Sequence, residues 1–269
     1  MIKYGGSTKG RHMQESKLFT EERQARILAK VEELEKVTVA QLCETFSVSG
    51  ATIRSDLREL HRMGRLIRTH GGAIRRTKTG FELGANSRKV QHLQAKRAIA
   101  RAAVALIQDG DRIILDTGTT TLQMAQLLRD KQDLTVVTND LEIAISLEEI
   151  ESIQVILLGG VLRQQFHCTV GPSGIDELAS LTVDKAFLGA NGFGVEEGAS
   201  TPDVRQAQVK KAMIAASSQV IVLCDHSKFG KTSFVKFADL SQIDIVITDS
   251  VEESQSSALE AQDIEVIVG

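Results

Sequence analysis

The chain has 269 residues, of which 42% are hydrophobic and only two are proline, and its formal net charge is −3. This length exceeds a typical domain of ~100–200 residues, so we expect a globular protein with more than one domain. No apolar run approaches the ~18 residues that span a bilayer, and no signal-peptide pattern opens the chain, which favours a cytoplasmic protein. Cys43, Cys168 and Cys224 are scattered without metal-ligand spacing, which predicts reduced thiols and no metal site.

The charge is distributed unevenly along the chain. Residues 50–80 contain seven arginines and Lys78 against only Asp56 and Glu59, so the remainder of the chain is strongly acidic. A basic block within an acidic protein indicates a local anionic partner such as nucleic acid, although a solvated charged face would leave the same pattern. Aromatic residues make up only 4% of the chain, which argues against stacking on single-stranded nucleic acid.

Three helices are predicted in the first quarter of the chain. Apolar residues recur at helical spacing over residues 21–35, and Thr38 with Gln41 has the form of a capping box that opens a second, short helix. Ser49 has the properties of an N-cap for a third helix at residues 50–63, which a glycine ends. A helix, a short helix, a tight turn and a third helix follow the helix-turn-helix plan.

The third helix and the segment after it carry the predicted DNA contacts. Small residues at the start of this helix allow close approach to a groove, and hydroxyl and guanidinium groups supply donors to bases and phosphates. Residues 65–69 alternate like a strand and residues 73–76 can return as a second one, which predicts a wing. The predicted DNA-binding residues are Ser49, Ala51, Thr52, Arg54, Ser55, Arg58, Arg68, His70 and Gly71.

The sequence VSGATIRSDLRELHRMGRLIRTHGGA, which begins at Val48, resembles the N-terminal signature of the DeoR family of bacterial sugar-metabolism repressors. The pairing of TIR with DL in the third helix, followed at a fixed distance by the glycine-rich wing, carries this resemblance. Many family members have a second arginine after TIR where this chain has Ser55, so operator preference does not transfer from relatives. Asp56 is expected to orient Arg54 or to cap locally, because a carboxylate that faces phosphates is repelled.

The rest of the chain alternates between strand and helix patterns. Residues 1–19 are expected to form a disordered tail, and residues 77–95 an interdomain linker. The expected fold class is α/β, with an N-terminal winged helix-turn-helix at residues 20–76 followed by a doubly wound α/β effector domain at residues 96–269. Strands are predicted at 113–116, 134–138, 153–158, 185–189, 220–224, 243–248 and 264–268, and helices at 96–107, 119–129, 141–149, 175–181, 204–216 and 251–260.

Polar residues follow five of these strands at their carboxyl ends, where such sheets bind ligands. The loop after the first strand is rich in glycine and threonine, and its backbone N–H groups and hydroxyls can hold an anion such as phosphate. Taken alone, this loop could equally be an ordinary strand-to-helix turn with a threonine cap. The predicted ligand-binding residues are Asp116, Gly118, Thr119, Thr120, Thr121, Thr138, Asn139, Gly159, Gly160, Arg163, Asn191, Gly192, Asp203, Asp225 and Lys228.

The second part of the chain resembles the same family. The segments LDTGTTT, VVTN, LLGGVLR, GAST and CDHSKFG look like its effector-binding domain, so the resemblance covers residues 20–269. That domain is similar in fold to ribose-5-phosphate isomerase and the coenzyme A transferases. The resemblance implies a repressor that releases DNA when a phosphorylated sugar or a related intermediate binds.

The similarity to an isomerase raises the alternative that the chain is an enzyme. Aldose–ketose isomerisation needs a general base near the sugar C2, and the isomerases keep an acidic pair where this chain has Asn191 and Gly192. An amide cannot abstract a proton and glycine has no side chain. Asp203 could stand where the isomerases keep a glutamate, or it could act as a helix N-terminal acid. We therefore expect no catalytic residues and no enzymatic activity.

We expect a repressor of a carbohydrate catabolism operon that binds double-stranded operator DNA as a homo-oligomer, either a dimer or a tetramer. A transcriptional activator of the same architecture is the alternative. No cofactor, metal or membrane is expected to take part. Lys210 and Lys211 either reach the ligand site from their helix or, as is commoner for lysines, lie on its surface. Cys224 is expected as a buried unreactive thiol, and Phe229 and Phe234 in the core or at a subunit interface.

Overall fold

The chain divides into two compact units, an N-terminal unit (Met1–Thr77) and a C-terminal unit (Lys78–Gly269). The predicted tail at residues 1–19 and the wing residue His70 lie outside the described residues. None of the helices in the described part of the chain is long and apolar enough to cross a membrane. The residues that the computed structural model describes are 20–34, 36–69, 71–75, 82 and 84–269.

The N-terminal unit combines helices with a small antiparallel sheet. Its elements are α1 (Thr20–Leu34), β1 (Lys36–Thr38), α2 (Val39–Phe46), α3 (Gly50–Arg62), β2 (Ile67–Thr69) and β3 (Gly72–Ile74). β3 pairs with β2, as the predicted wing requires, and also with β1. β1 was not predicted, because three residues are too few to show strand alternation. The predicted winged helix-turn-helix is confirmed.

Local hydrogen bonds explain where these helices begin and end. Thr38 and Gln41 form the predicted capping box at the start of α2. Ser49 caps α3 by accepting a hydrogen bond from the Thr52 amide at 3.2 Å. Gly64 follows α3 with φ at 70°, and its amide and the next one donate back to carbonyl oxygens of the last turn. This Schellman arrangement closes the helix and requires the left-handed conformation that glycine adopts without strain.

A buried ion pair joins α1 and α3. The inward faces of these helices pack around Ile27 and Ile53, which are fully buried. Beside them the Arg23 Nε donates to Asp56 Oδ2 at 2.6 Å, and both side chains are buried. The expectation that Asp56 orients Arg54 or caps locally is therefore wrong, because Asp56 lies on the inward face of α3 and finds its cation on α1.

The C-terminal unit is an α/β unit. Its helices are α4 (Ala85–Lys89), α5 (Leu93–Ala105), α6 (Thr119–Ala125), α7 (Leu141–Leu147), α8 (Pro172–Leu178), α9 (Val204–Ala215) and α10 (Glu253–Glu260). Its strands are β4 (Arg112–Leu115), β5 (Leu134–Thr138), β6 (Ile153–Leu157), β7 (Val161–Arg163), β8 (Cys168–Val170), β9 (Val183–Gly189), β10 (Gly192–Gly194), β11 (Gly198–Thr201), β12 (Ser217–Leu223), β13 (Val235–Ala238), β14 (Ile245–Thr248) and β15 (Glu265–Val268). α4 and the start of α5 fall within the predicted linker.

Seven of these strands form one parallel sheet in the order β15-β14-β12-β9-β4-β5-β6. The chain builds from β4 towards β6 and then returns to the other side of β4 at β9, so β4 and β9 flank the topological switch point. Helices α5, α6 and α7 contribute to the core on one face, and α8 and α9 to the core on the other. The predicted doubly wound fold is confirmed.

Five short strands of this unit were not predicted. β7 and β8 pair as an antiparallel hairpin, and β10, β11 and β13 form a small antiparallel sheet. Gly192 and Gly194 are two of the three residues of β10, and Gly198 begins β11 with φ at 78°. Because glycines replace side chains here, these segments lack the apolar alternation that marks a strand.

Candidate functional site

The outward face of α3 carries most of the predicted DNA contacts. Arg54 and Arg58 form no ion pair with any residue in the described part of the chain, so their charges are available to phosphates. Arg62, one turn further on, differs because Glu59 binds its guanidinium at 2.5 and 2.9 Å. The exposed residues of this face are Ala51, Arg54, Ser55 and Arg58.

The remaining predicted contacts lie at the start of α3 and in the wing. The hydroxyls of Ser49 and Thr52 bond each other at 2.9 Å, so both serve the helix cap. Arg68 and Gly71 are exposed in the wing. The N-terminal unit therefore presents an exposed cationic helix face and an exposed arginine on the adjoining wing.

A cleft that is partly open to solvent lies in the C-terminal unit at the switch point of the sheet. Its walls come from the loops after β4, β9 and β12 and from the segment that contains α4 and the start of α5. Open α/β sheets bind ligands at the carboxyl ends of strands in this position.

Seven of the predicted ligand-binding residues line this cleft. The Thr121 hydroxyl donates to the Gly118 carbonyl at 2.9 Å, which shapes the turn into α6. Thr119 and Thr120 are half-buried beside it. Asp116 lies beneath the loop and is fully buried. The seven lining residues are Gly118, Thr119, Thr120, Thr121, Asn191, Asp225 and Lys228.

The hairpin of β7 and β8 covers the ends of β5 and β6 and keeps their polar residues out of the cleft. The Asn139 amide donates to the Thr169 carbonyl at 2.8 Å, and the Thr169 hydroxyl donates to the Leu158 carbonyl at 2.7 Å. Only the ends of β4, β9 and β12 therefore stay open to a ligand. The eight predicted residues outside the lining are Asp116, Thr138, Asn139, Gly159, Gly160, Arg163, Gly192 and Asp203.

Asp116 forms a buried ion pair with Lys210 at the floor of the cleft. Asp116 Oδ2 also accepts from the Gly189 amide at 3.0 Å, and Lys210 Nζ donates to the Gly189 carbonyl at 2.8 Å. The other carboxylate oxygen, Oδ1, is buried and has no hydrogen-bond partner among the described residues. Asp116 itself does not line the cleft, but its unpartnered oxygen is a buried acceptor next to Gly189 and Lys210, which do.

Of the two alternatives for Lys210, the less common one holds, because Lys210 is buried and lines the cleft, whereas Lys211 is exposed on the helix surface. Gln206, Lys210 and Met213 recur at helical spacing along α9, and all three are buried. Long polar side chains are read as surface residues because they are rarely fully buried. Gln206 and Lys210 share a helix face with the apolar Met213, and this alignment was the signal that could have predicted their burial.

Five lining residues come from α4, the start of α5 and the segments that flank them, namely Glu82, Arg88, Gln91, His92 and Lys96. Four of them fall in the predicted linker, and no chemistry was assigned to any of them. A segment without a hydrophobic face contains no local signal that it will cover a cleft formed by distant loops. Their contribution depends on tertiary packing, which sequence spacing does not report.

Lys228 and Lys96 place positive charge around Asp225. Lys228 Nζ lies 4.0 Å from Asp225 Oδ2. Burial opposes ionisation of Asp225, but Lys228 and local hydrogen bonds outweigh burial and lower the pKa of this carboxyl. Lys96 Nζ donates to the carbonyl oxygens of Arg88 and Gln91 at 2.5 and 2.6 Å. Burial lowers the pKa of Lys96 to about 8.

His92, Asp225 and His226 bring potential metal-ligand atoms within 4.8 Å of one another. His226 Nδ1 lies 2.7 Å from Asp249, and the rings of His92 and His226 meet edge-on. Lys228 already partners Asp225 and would repel a cation. The group therefore suits an anionic ligand better than a metal ion.

The other expected core residues are divided between interior and surface. Cys224 is buried, and burial raises the pKa of its thiol, which agrees with an unreactive side chain. Phe229 packs edge-on against Phe193 with ring centroids 5.3 Å apart, so it belongs to the core. Phe234 is 62% exposed in this chain.

Two family models match this chain. The DeoR-like helix-turn-helix domain matches residues 23–79, and the DeoR C terminal sensor domain matches residues 91–250. The chain belongs to the DeoR family. It is a DNA-binding regulator and not an enzyme, as the sequence predicted.

Several DeoR-family relatives are similar over nearly their whole length. The HTH-type transcriptional regulator GlpR of Haloferax volcanii is 37% identical over 92% of this chain and 97% of its own. The HTH-type transcriptional repressor GlcR of Bacillus subtilis is 37% identical over 93% and 97%. The putative aga operon transcriptional repressor of Escherichia coli O157:H7 is 33% identical over 93% and 94%.

Solved structures with a similar fold are more distant. Ribose 5-phosphate isomerase A from Methanocaldococcus jannaschii is 23% identical and aligns with 52% of this chain and 55% of its own, with a TM-score of 0.37. The translation initiation factor eIF-2B of Pyrococcus horikoshii is 17% identical over 81% and 70%, with a TM-score of 0.40.

Proposed function

We propose that this DeoR-family regulator represses a carbohydrate catabolism operon and leaves its operator when a phosphorylated sugar or sugar derivative binds. Residues 20–76 are the proposed DNA-binding domain, and residues 96–269 are the proposed effector-binding domain. The observation that carries the proposal is the cleft at the switch point. Lysines and threonines line this cleft, and next to it lies the buried Asp116 carboxylate, whose Oδ1 has no hydrogen-bond partner among the described residues.

The cleft offers separate groups for the two parts of a sugar phosphate. The loop at 118–121 supplies backbone N–H groups and threonine hydroxyls for the phosphate, and Lys228 neutralises its charge. Asp225 and Asn191 are placed to bond sugar hydroxyls. Asp116 Oδ1 accepts from a further hydroxyl at the floor, because its other oxygen is already bound to Lys210 and Gly189.

The N-terminal unit supplies the DNA contacts of this proposal. α3 enters the major groove, where Arg54 and Arg58 reach phosphates and base edges, and Arg68 in the wing contacts the backbone or minor groove. A dimer or tetramer places two such helices one DNA turn or more apart, at ~34 Å per turn. The relatives GlcR and the putative aga operon protein are named repressors, which supports the sign of the regulation.

A thermal-shift screen of sugar phosphates on the full chain tests the proposal. A phosphorylated sugar should raise the unfolding temperature and lower the affinity for operator DNA, whereas the unphosphorylated sugar should do neither. Lys228→Ala should abolish both effects and leave DNA binding intact. Lys211→Ala, which removes an exposed lysine on α9, is the matched control. Release of DNA that survives in Lys228→Ala would contradict the proposed site.

The sign of regulation has its own test. Deleting the gene should raise expression of a reporter placed behind the operator, because a repressor is lost. A fall in reporter expression would instead identify an activator with the same architecture.

A further inference from the structure

Glu82 lies inside the cleft of the C-terminal unit. Its side chain is 7% exposed, although no helix or strand holds its backbone. Oε1 lies 3.0 Å from the Arg88 guanidinium and accepts from Asn191 Nδ2 at 3.2 Å. Oε2 lies 2.8 Å from the Arg163 guanidinium. One carboxylate therefore occupies three donors from three separate parts of the unit.

Two of these donors are held by partners other than Glu82. Arg163 Nε donates to Asp203 at 3.2 Å, and its guanidinium stacks 3.7 Å above the Phe166 ring. The Asn191 side chain is oriented by the Thr201 hydroxyl, which donates to Asn191 Oδ1 at 3.2 Å. These two donors are therefore built to keep their positions when the carboxylate leaves.

We infer that Arg88, Arg163 and Asn191 form an oxyanion-binding subsite, here called the arginine corner, which Glu82 fills as an internal ligand. Two guanidinium groups and an amide are a donor set that binds phosphate and carboxylate groups strongly. A phosphate or carboxylate group of the effector takes the place of Glu82 when it binds. This inference rests on the proposed function, since the cleft must first accept an anionic effector.

The displacement of Glu82 has a consequence for signalling. Glu82 is the first described residue of the C-terminal unit, whose boundary with the N-terminal unit falls after Thr77. An effector group in the arginine corner therefore detaches the chain close to its connection with the DNA-binding domain. Binding in the cleft is in this way converted into a change at that connection.

Titration of the full-length protein with inorganic phosphate in phosphate-free and sulfate-free buffer tests the inference. Glu82→Ala empties the arginine corner and should bind phosphate at least about ten-fold more tightly than the wild type, because the charges of Arg88 and Arg163 lose their internal counter-ion. Glu82→Gln removes the charge but still fills the space, so it should gain less. Adding Arg88→Gln to Glu82→Ala should cancel the gain.

Glu142→Gln is the matched control, because Glu142 forms an ion pair with Lys89 of α4 at 2.6 Å and does not line the cleft. This variant should bind phosphate like the wild type. Circular dichroism of each variant establishes that it is folded. If Glu82→Ala does not fold, Glu82→Gln must still bind phosphate more tightly than the wild type.

The outcomes separate this inference from the proposed function. Equal phosphate affinity of the wild type and Glu82→Ala would overturn the arginine corner. Equal gains in phosphate affinity for Glu82→Ala and Glu82→Gln would also overturn it, because they would indicate a distant charge effect. Loss of wild-type phosphate binding in Lys228→Ala, together with unchanged binding in Glu82→Ala, would overturn only the arginine corner. A wild type that binds neither phosphate nor any sugar phosphate would overturn the proposed function as well.

Discussion

Each unit of this regulator contains a buried aspartate paired with a cation, but the two pairs differ in how completely the carboxylate is satisfied. In the N-terminal unit, both oxygens of Asp56 are bound, since Arg23 donates to each of them and Gln24 donates to Oδ1. In the C-terminal unit, Lys210 binds only one oxygen of Asp116, and the other has no partner among the described residues.

The comparison separates a structural role from a binding role. A fully bonded carboxylate joins two helices and offers nothing to a ligand. We propose that the half-bonded Asp116 positions Lys210 and keeps one acceptor for an incoming hydroxyl. The N-terminal unit exposes arginines on the surface of α3, whereas the C-terminal unit buries the charges of Asp116 and Lys210.

The largest expected effect comes from removing the carboxylate of the buried Arg23–Asp56 ion pair. Asp56→Ala leaves Arg23 as an uncompensated buried charge and should destabilise the N-terminal unit by ~3–5 kcal/mol. Denaturant unfolding should show early loss of this unit, with DNA binding lost and sugar-phosphate binding retained. Glu59→Ala removes an exposed carboxylate and should cost less than ~1 kcal/mol. Equal destabilisation by the two variants would contradict the structural role of Asp56.

The second effect concerns the Asp116–Lys210 pair, in which one carboxylate oxygen has no partner among the described residues. Asp116→Asn keeps the shape of the side chain but removes the charged acceptor, so effector affinity should fall roughly 10–100-fold, as for a lost charge-assisted hydrogen bond. The C-terminal unit should also be destabilised, because Lys210 is left as a buried charge without its counter-ion. Operator binding without effector should be unchanged. Calorimetry with the sugar phosphate found by screening measures the first quantity, and fluorescence anisotropy measures the second. An Asp116→Asn variant with wild-type effector affinity would remove Asp116 from the ligand site.

The third effect concerns the exposed charges of α3. Arg58→Ala should weaken operator binding by ~1–3 kcal/mol and, if Arg58 contacts a phosphate, should also reduce the salt dependence of binding by about one ion. Arg62→Ala should have a smaller effect, because Glu59 already binds that guanidinium. Effector affinity should be unchanged in both variants. Operator binding that is insensitive to Arg58→Ala would exclude this face of α3 from recognition.

The smallest effect is a pH dependence of effector binding. Burial lowers the pKa of Lys96 to about 8, so this lysine is protonated below pH 8 and loses its charge as the pH rises through that value. An anionic effector binds the protonated form better, and affinity should therefore fall several-fold between about pH 7 and pH 9. Lys96→Met should flatten this profile. An identical pH profile of effector affinity in both proteins would show that the charge of Lys96 does not affect ligand binding.

Sequence reasoning placed the surface chemistry better than the interior chemistry. The caps at Thr38 and Ser49 and the periodic apolar residues of α3 are local patterns, so they fix which side chains of that helix point outwards. The seven strands of the large sheet are also local patterns of apolar residues. Local patterns therefore sufficed for the fold class and for the exposed face of α3.

The interior of the cleft depends on contacts between distant segments. For Lys210 a helix surface was the commoner alternative, yet it pairs with Asp116, which lies far away in the sequence. Asn139 was expected at the ligand site, but the unpredicted hairpin of β7 and β8 uses its amide. Glu82 lies near the start of the predicted linker, and it is held in the cleft by contacts with Arg163 and Asn191, which are distant in the sequence. None of these pairings leaves a periodic signal in the sequence.

The proposed regulation depends on one coupling, between ligand binding in the cleft of the C-terminal unit and DNA binding by the N-terminal unit. Fluorescence anisotropy of the full-length protein on its operator, titrated with the sugar phosphate identified by screening, measures this coupling directly. We expect operator affinity to fall by ~5–150-fold at saturating effector in the wild type, and to stay constant in Lys228→Ala. An operator affinity that no cleft-binding sugar phosphate changes would contradict the account.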